Sequence, residues 1–401
     1  MMDKQYDVIV VGAGPAGSIA AYYIAGGGYS VLVLDKKQEI GTPKRCAEGI
    51  NLNGLESFDL EINPKWAVNG ITGAVCYSPS GKAVKADFES TSGYVLERKI
   101  FEKHLATRAI KKGARYMVKT NARGLIKENG AIKGVRAEHM GDELELRARI
   151  VLAADGVDSK IARDAGLNTK NNLKDYHCGF QYEMAGLNLM EEDKLHLYFG
   201  EKIAPKGYVW IFPKGDSVAN VGIGILGLLS DDGVRAKDYL DDFIKTHPEI
   251  FEGASPIEMN SGGIPVGAPI DDMVADGLMV VGDAAHQVNP IHGGGISLAM
   301  EAGRIAGEVA CSALNADDVS RDSLSLYQKR WEKEFNPKLK KLLKLRAFLE
   351  EVTDKEFEMF AETLSGKDII RLTESKYNFF IKILGRKAPH MAPLAKKFLN
   401  K

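Results

Sequence analysis

The sequence has little cysteine, and what it has is scattered. Cys46, Cys76, Cys178 and Cys311 are its four thiols in 401 residues. No two form a CxxC pair or a metal-ligand spacing, which argues against a structural zinc or a cysteine-held cluster. Such scatter fits a reducing compartment, where thiols stay free. Long apolar runs are missing too: no stretch of about 18 apolar residues occurs, so no membrane-spanning helix is expected. The start, Met1 to Tyr6, lacks the basic and apolar regions of a secretory signal. A cytoplasmic protein is expected, with peripheral contact at a membrane surface left open. Excess charge is also absent, with 53 basic against 54 acidic residues, which gives no case for a nucleic-acid partner. There are no repeats and no low-complexity tracts. At this length one compact core is insufficient, and two or three lobes are expected.

What is present is a set of short apolar strands ending in glycine or aspartate. Tyr6 to Gly12 and Tyr29 to Asp35 are buried parallel strands, and Ser18 to Ala25 between them is an alanine-rich helix stopped by Gly26-Gly27-Gly28. Strand, helix and strand within about thirty residues make a βαβ unit. Ala148 to Asp155 and Gly277 to Gly282 are strands of the same character, and Glu97 to Gly113 is helical. One sheet holding all four strands makes the cofactor domain discontinuous, over 1–66, 96–175 and 263–320. Residues 67–95 and 176–262 instead alternate with aromatics, as in Tyr208-Val209-Trp210-Ile211-Phe212, and predict an antiparallel substrate-facing sheet. Residues 321–401 read as a helical C-terminal region. The fold class is therefore α/β, with a Rossmann-type domain, a β-sheet domain and a helical end. Residues 330–401 hold 17 Lys/Arg against 10 Asp/Glu, with apolar stretches such as Phe379-Phe380-Ile381. This basic end is either a solvated face or a contact for anionic lipid.

The first chemical motif is Gly12-Ala13-Gly14-Pro15-Ala16-Gly17. Gly12 allows the sharp turn, Gly14 lets backbone approach a pyrophosphate, and Gly17 lets the helix pack on the strand. The helix N-terminus then offers N–H groups to phosphate. Asp35, ending the next strand, is placed to accept bonds from ribose hydroxyls. Two later strand ends add to this. Ala153-Ala154-Asp155-Gly156-Val157-Asp158-Ser159 follows one, and Gly282-Asp283-Ala284-Ala285-His286 leads through Pro290 to Gly293-Gly294-Gly295-Ile296. An aspartate there can hold ribityl or ribose hydroxyls, and a glycine cluster opening a helix can face a flavin carbonyl. In this order and at this spacing they resemble the FAD-dependent hydroxylase superfamily, over roughly residues 1–320.

A narrower resemblance spans nearly the whole chain. Pro43-Lys44-Arg45-Cys46-Ala47-Glu48-Gly49, Gly93-Tyr94-Val95-Leu96-Glu97-Arg98 and Pro205-Lys206-Gly207-Tyr208-Val209-Trp210-Ile211-Phe212-Pro213-Lys214-Gly215 are similar to stretches of the archaeal geranylgeranyl reductase family. The resemblance implies FAD as cofactor and a prenylated glycerophospholipid as substrate. It implies FAD contacts at Ala16, Asp35, Cys46, Ala47, Gly49, Arg98, Ala122, Asp283, Gly295 and Ile296, beside the loop glycines Gly12, Gly14 and Gly17. The family more often has Glu where Asp35 stands, and either carboxylate can accept the ribose bonds. Tyr208, Trp210 and Phe212 alternate and so share one strand face. Flat aromatic walls suit a branched polyene that has almost no hydrogen-bonding groups. A strand stripe of this kind is ordinarily core. The flanking Pro205 and Pro213 and the family resemblance favour a substrate wall instead.

Cys46 lies between Arg45 and Glu48 in a glycine-flanked loop. A neighbouring Arg favours thiolate, and the residue is a candidate for shaping the reactive face or aiding proton delivery. His286 and His292 flank the flavin loop and are equally readable as proton donors or structural residues. The expected chemistry is reduction of isolated alkenes of geranylgeranyl chains in digeranylgeranylglycerol phospholipids. Such alkenes are poor electrophiles, so the site must supply positioning and dryness more than acid–base power. The alternatives are a flavin monooxygenase of the aromatic hydroxylase class and a non-enzymatic flavin-containing lipid carrier. The electron donor is left open among a ferredoxin, a reduced deazaflavin and NAD(P)H.

Overall fold

The computed structural model describes residues 5–373. The Phe379-Phe380-Ile381 stretch lies outside the described residues. The chain divides into two compact units. The first comprises residues 1–44, 98–171 and 265–337, and the second comprises residues 45–97, 172–264 and 338–401. Among the described residues no helix is long and apolar enough to cross a membrane.

In the first unit an eight-stranded sheet is centred on Gln5–Val11. That strand pairs in parallel with Val31–Leu34 on one side and Asp142–Ala153 on the other. Arg115–Met117 and Leu278–Val280 extend the parallel part outward. Residues 8–11 and the whole of Val31–Leu34 are buried, as expected for a parallel sheet covered on both faces. Asp142–Ala153 is longer than its apolar C-terminal half predicts. Its first residues pair antiparallel with Ala131–His139, which pairs in turn with Thr120–Glu128. The first helix begins at Pro15 rather than Ser18, because proline at the first helical position costs no hydrogen bond. It runs to Gly26 and packs on helix Ile296–Asn315. A Cβ on Gly303 would lie 2.3 Å from the Ala16 carbonyl oxygen, so only glycine permits that approach.

The second unit holds a seven-stranded sheet. Its strand order is Ser255–Pro265, Tyr176–Ala185, Val218–Leu226, Tyr208–Gly215, Lys194–Tyr198, Gly73–Tyr77, Ala83–Asp87. The antiparallel expectation fails at one pair. Gly73–Tyr77 and Lys194–Tyr198 run parallel, a pairing across more than a hundred residues that local alternation cannot reveal. A separate three-stranded sheet joins Gly49–Asn51, Gly93–Leu96 and Ala67–Ile71. One face of the large sheet carries the unit's core. There Val209, Ile211, Val221 and Ile223 pack with Leu240 and Phe243 of helix Ala236–Thr246.

Candidate functional site

In the first unit the glycine loop sits where three strand ends meet. Gly12 has a positive φ of 110°, and a Cβ there would come 2.2 Å from the Ala154 carbonyl oxygen. A Cβ on Gly17 would lie 1.9 Å from the Gly12 oxygen. Gly14 differs: it is extended, and a Cβ there would meet nothing within 4 Å. The open side of the loop is therefore at Gly14, just before the uncapped N-terminus of helix Pro15–Gly26. This is the place where a phosphate would find free N–H groups and the positive end of a helix dipole.

Asp35 has a second duty beyond the expected ribose contact. It accepts the Ala13 N–H at 2.9 Å and the Lys37 N–H at 2.9 Å. Ser18 Oγ donates to the Ala13 carbonyl at 3.0 Å, so Ala13 is tied on both sides. Ala16 packs where the Gly282 turn and Gly303 both approach, its backbone against Gly303 and its Cβ on the side of Gly282. The strand bearing Ala122 starts beside Asp35, since Thr120 N–H donates to the Asp35 carbonyl at 2.8 Å.

Asp283 lies in the Gly282–Ala285 turn, and Gly295 caps the helix that begins at Ile296. A Cβ on Gly295 would come 3.2 Å from Asp283 Oδ1, so these two are neighbours. Burial pushes the Asp283 carboxyl upward, and the Arg98 charge partly opposes this. Arg98 also pairs with Glu102 at 2.6 Å. Asp155 accepts the Ile161 N–H at 3.0 Å through one oxygen. Its other oxygen, Oδ1, is buried without a hydrogen-bond partner among the described residues. Burial raises this acid as well, against the pull of the Ile161 N–H. Two desolvated carboxyls with spare acceptor capacity beside a glycine loop fit a hydroxyl-rich dinucleotide such as FAD. Sequence reasoning missed the brace behind the turn. Gln287 accepts the Gly282 N–H at 2.7 Å and donates to Tyr327 Oη at 2.8 Å, and Tyr327 donates to the Val280 carbonyl at 2.9 Å. His292 Nδ1 accepts the Gly294 N–H at 3.0 Å, which gives it a structural task in the turn.

In the second unit Tyr208, Trp210 and Phe212 share the sheet face opposite the core. Trp210 is 6% exposed. Its indole lies directly over Gly222, whose Cβ, if present, would be 2.4 Å from the ring. Gly224 continues this bare floor at ordinary contact distance, 3.5 Å. Trp210 and Tyr208 rings are 5.7 Å apart, and Tyr208 meets Phe199, which stacks on Phe357 at 5.6 Å. The aromatic surface thus extends from the strand to helix Asp354–Thr363. Pro213 does not join it: strand alternation places Pro213 with Val209 and Ile211 on the other face. Pro205 is buried in the turn before the strand.

The loop bearing Cys46 is hydrogen-bonded to this aromatic face. Trp210 Nε1 donates to Gln181 Oε1 at 2.9 Å, and Gln181 Nε2 donates to the Cys46 carbonyl at 3.0 Å and to Asn220 Oδ1 at 3.1 Å. Asn220 Nδ2 donates to the Ala47 carbonyl at 3.2 Å and to Glu48 Oε2 at 2.7 Å. Cys46 Sγ accepts the Glu48 N–H at 3.1 Å. The stem of Arg45 lies along Gly262, 3.4 Å from where its Cβ would be. The Phe212 ring comes 3.0 Å from the Cβ position of Gly49. Gln181, Asn220 and the glycine floor were not singled out from sequence. Alternate glycines in Val221-Gly222-Ile223-Gly224 were the available signal, since glycine inside a strand marks close approach.

Residues 7–177 match the family described as FAD dependent oxidoreductase, and residues 175–264 match the geranylgeranyl reductase catalytic domain. The digeranylgeranylglycerophospholipid reductase of Methanocaldococcus jannaschii is 43% identical over 99% of both chains. A second such reductase, from Methanopyrus kandleri, is 42% identical over 99% of this chain and 100% of its own. A solved geranylgeranyl bacteriochlorophyll reductase-like protein from Thermoplasma acidophilum is 34% identical, with a TM-score of 0.89 over 98% of this chain and 99% of that one. A flavin-dependent brominase at 18% identity and TM-score 0.74, covering 99% of this chain and 100% of its own, shares the fold. With such identity over nearly its full length, the chain belongs to the digeranylgeranylglycerophospholipid reductase family.

Proposed function

We propose that this chain is an FAD-dependent reductase that saturates the isolated double bonds of geranylgeranyl chains in archaeal digeranylgeranylglycerol phospholipids. The observation that carries this is the aromatic face of the second unit. Trp210 lies flat on a glycine floor, on the side of the sheet away from the core. Its one polar group is already spent on Gln181. A surface of aromatic rings whose indole N–H is already bonded suits a hydrocarbon chain better than a polar substrate.

Bound and reduced, FAD supplies the hydride that an isolated alkene requires. Gly12, Gly14, Gly17 and the helix start at Pro15 hold its pyrophosphate, and Asp35 and Asp283 accept hydroxyl hydrogens. Ala16, Arg98, Ala122, Gly295 and Ile296 complete the first unit's set. In the second unit the family resemblance assigns Cys46, Ala47 and Gly49 to FAD. Tyr208, Trp210 and Phe212 orient the prenyl chain and keep water from it. The direct test is mass spectrometry of a geranylgeranyl glycerophospholipid after incubation with dithionite-reduced protein. A gain of two hydrogens per reduced bond is expected, and lipid recovered unchanged would overturn the assignment.

Cys46 is proposed to shape the reactive face. Cys46→Ser should slow single-turnover lipid reduction by about 10²-fold, the lower end for loss of a proton-handling group. Stopped-flow reoxidation of prereduced protein measures this, and an unchanged rate removes the thiol from the chemistry.

Membrane contact is proposed for helix Asn336–Leu349. It buries Leu339, Leu342, Leu345 and Phe348, and exposes Lys338, Lys340, Lys341 and Lys344 with no acidic residue along its length. Four surface lysines contribute about 4 kcal/mol against an anionic bilayer, at about 1 kcal/mol each. Replacing all four with Gln should abolish co-sedimentation with anionic vesicles while leaving reduction of detergent-dispersed lipid intact. Co-sedimentation equal to wild type would rule this helix out.

A further inference from the structure

A buried ionic cluster adjoins the aromatic side chains, around Lys214 at the end of their strand, and the proposed chemistry makes no use of it. Lys214 Nζ meets Glu97 Oε2 at 2.8 Å, Glu48 Oε2 at 3.0 Å and Glu183 Oε2 at 3.2 Å. The Lys214 side chain is 6% exposed and that of Glu48 is fully buried. Burial alone would push the Lys214 ammonium down, but the Glu48, Glu97 and Glu183 charges outweigh it and hold the pKa above its ordinary value. Lysine rather than a hydrophobic residue at such a place costs desolvation, and buried charge is weak evidence for stability by itself. What it does supply is geometry.

Each of the three stretches that first set this sequence apart contributes one member: Glu48, Glu97 and Lys214. Glu48 then connects onward. The same Oε2 that receives Lys214 also receives Asn220 Nδ2 at 2.7 Å. Asn220 holds the Ala47 carbonyl and the Gln181 side chain, and Gln181 holds the Cys46 carbonyl and the Trp210 indole. An unbroken chain of donors and acceptors therefore runs from the ammonium to both the Cys46-Ala47 backbone and the aromatic ring.

We propose that Lys214 is a positioning residue: by gathering Glu48, Glu97 and Glu183 it sets, through Asn220 and Gln181, the placement of the Cys46-Ala47 peptides and the Trp210 indole together. This deepens the proposed function and rests on it for its catalytic consequence. Lys214 touches neither lipid nor flavin in this scheme. Its effect travels through buried hydrogen bonds, which are strongly orienting in a low-dielectric interior.

The test uses FAD-loaded protein labelled with fluorotryptophan. Its three tryptophans give three fluorine resonances, with that of Trp210 assigned through Trp210→Phe and that of Trp331 as an internal control. Lys214→Gln is expected to shift the Trp210 resonance and leave that of Trp331 in place. Asn220→Leu should shift it as well. Each change should slow single-turnover lipid reduction on the order of 10²-fold, the scale of an ångström-size misplacement. The double variant should be no slower than the slower single one, because both cut the same line. Lys214→Arg, which keeps the charge, should recover most of the rate. Should Lys214→Gln fail to fold, Glu48→Gln is read in its place with the same expectations. Multiplicative losses in the double variant, or an unmoved Trp210 resonance, would overturn the proposal. Wild-type protein that leaves lipid unreduced would overturn the proposed function alone, because the resonance is read without substrate.

Discussion

Gly14→Ala leaves the apo-protein folded and deprives it of flavin. The added methyl meets no protein atom within 4 Å, and Gly14 is extended rather than left-handed. Unfolding stability should therefore change by no more than about 1 kcal/mol, the scale of the N-cap preference for glycine over alanine. The methyl does enter the open side of the loop, at the start of helix Pro15–Gly26, where pyrophosphate is proposed to sit. FAD affinity should fall on the order of 10²-fold, which is about 2.7 kcal/mol. Gly17→Ala makes the opposite trade. Its Cβ would lie 1.9 Å from the Gly12 carbonyl oxygen, a backbone collision that no rotamer relieves. That variant should lose about 3 kcal/mol or more through overpacking. Thermal melting of both apo-proteins and fluorescence titration with FAD separate the two. If Gly14→Ala binds flavin as wild type does, the open side of the loop is not where the phosphates lie.

Gly222→Ala strikes the other unit and should leave it yellow but slow. The new methyl would be 2.4 Å from the Trp210 ring. The indole has to leave the sheet, and its 2.9 Å bond to Gln181 goes with it. Lipid reduction should fall on the order of 10²-fold in kcat/KM, with FAD content unchanged. Gly224→Ala is the control. There the ring is 3.5 Å from the new Cβ, an ordinary contact, and the rate should stay within about three-fold, a difference below 1 kcal/mol. Equal rates for the two variants would mean that the placement of Trp210 does not matter to the reaction.

The glycine loop and the parallel strands were legible because each is a local pattern: a short apolar strand ending in glycine, followed by an alanine-rich helix and a second such strand. The start of the first helix was misjudged by one turn, since Pro15-Ala16-Gly17 reads as loop until the chain is seen to coil there. The parallel pairing of Gly73–Tyr77 with Lys194–Tyr198 was hidden by its separation in sequence. The shared face of Tyr208, Trp210 and Phe212 followed from alternation alone, and the same parity removes Pro213 from it. The Lys214 cluster was the least legible feature. Lys214, Glu48, Glu97 and Glu183 come from four segments, and a lone charged residue on a half-polar strand reads as solvated surface. Only the fold shows that all four point inward.

The glycine floor under Trp210 has one more consequence. If Trp210 walls the prenyl site as proposed, its ring on bare backbone presents a flat aromatic surface with little relief to index a passing chain. Successive isoprene units look alike to such a surface, so a tail can be drawn along it by whole repeats. Any preference for one unit over the next then has to come from how far the anchored end of the molecule lets the tail travel.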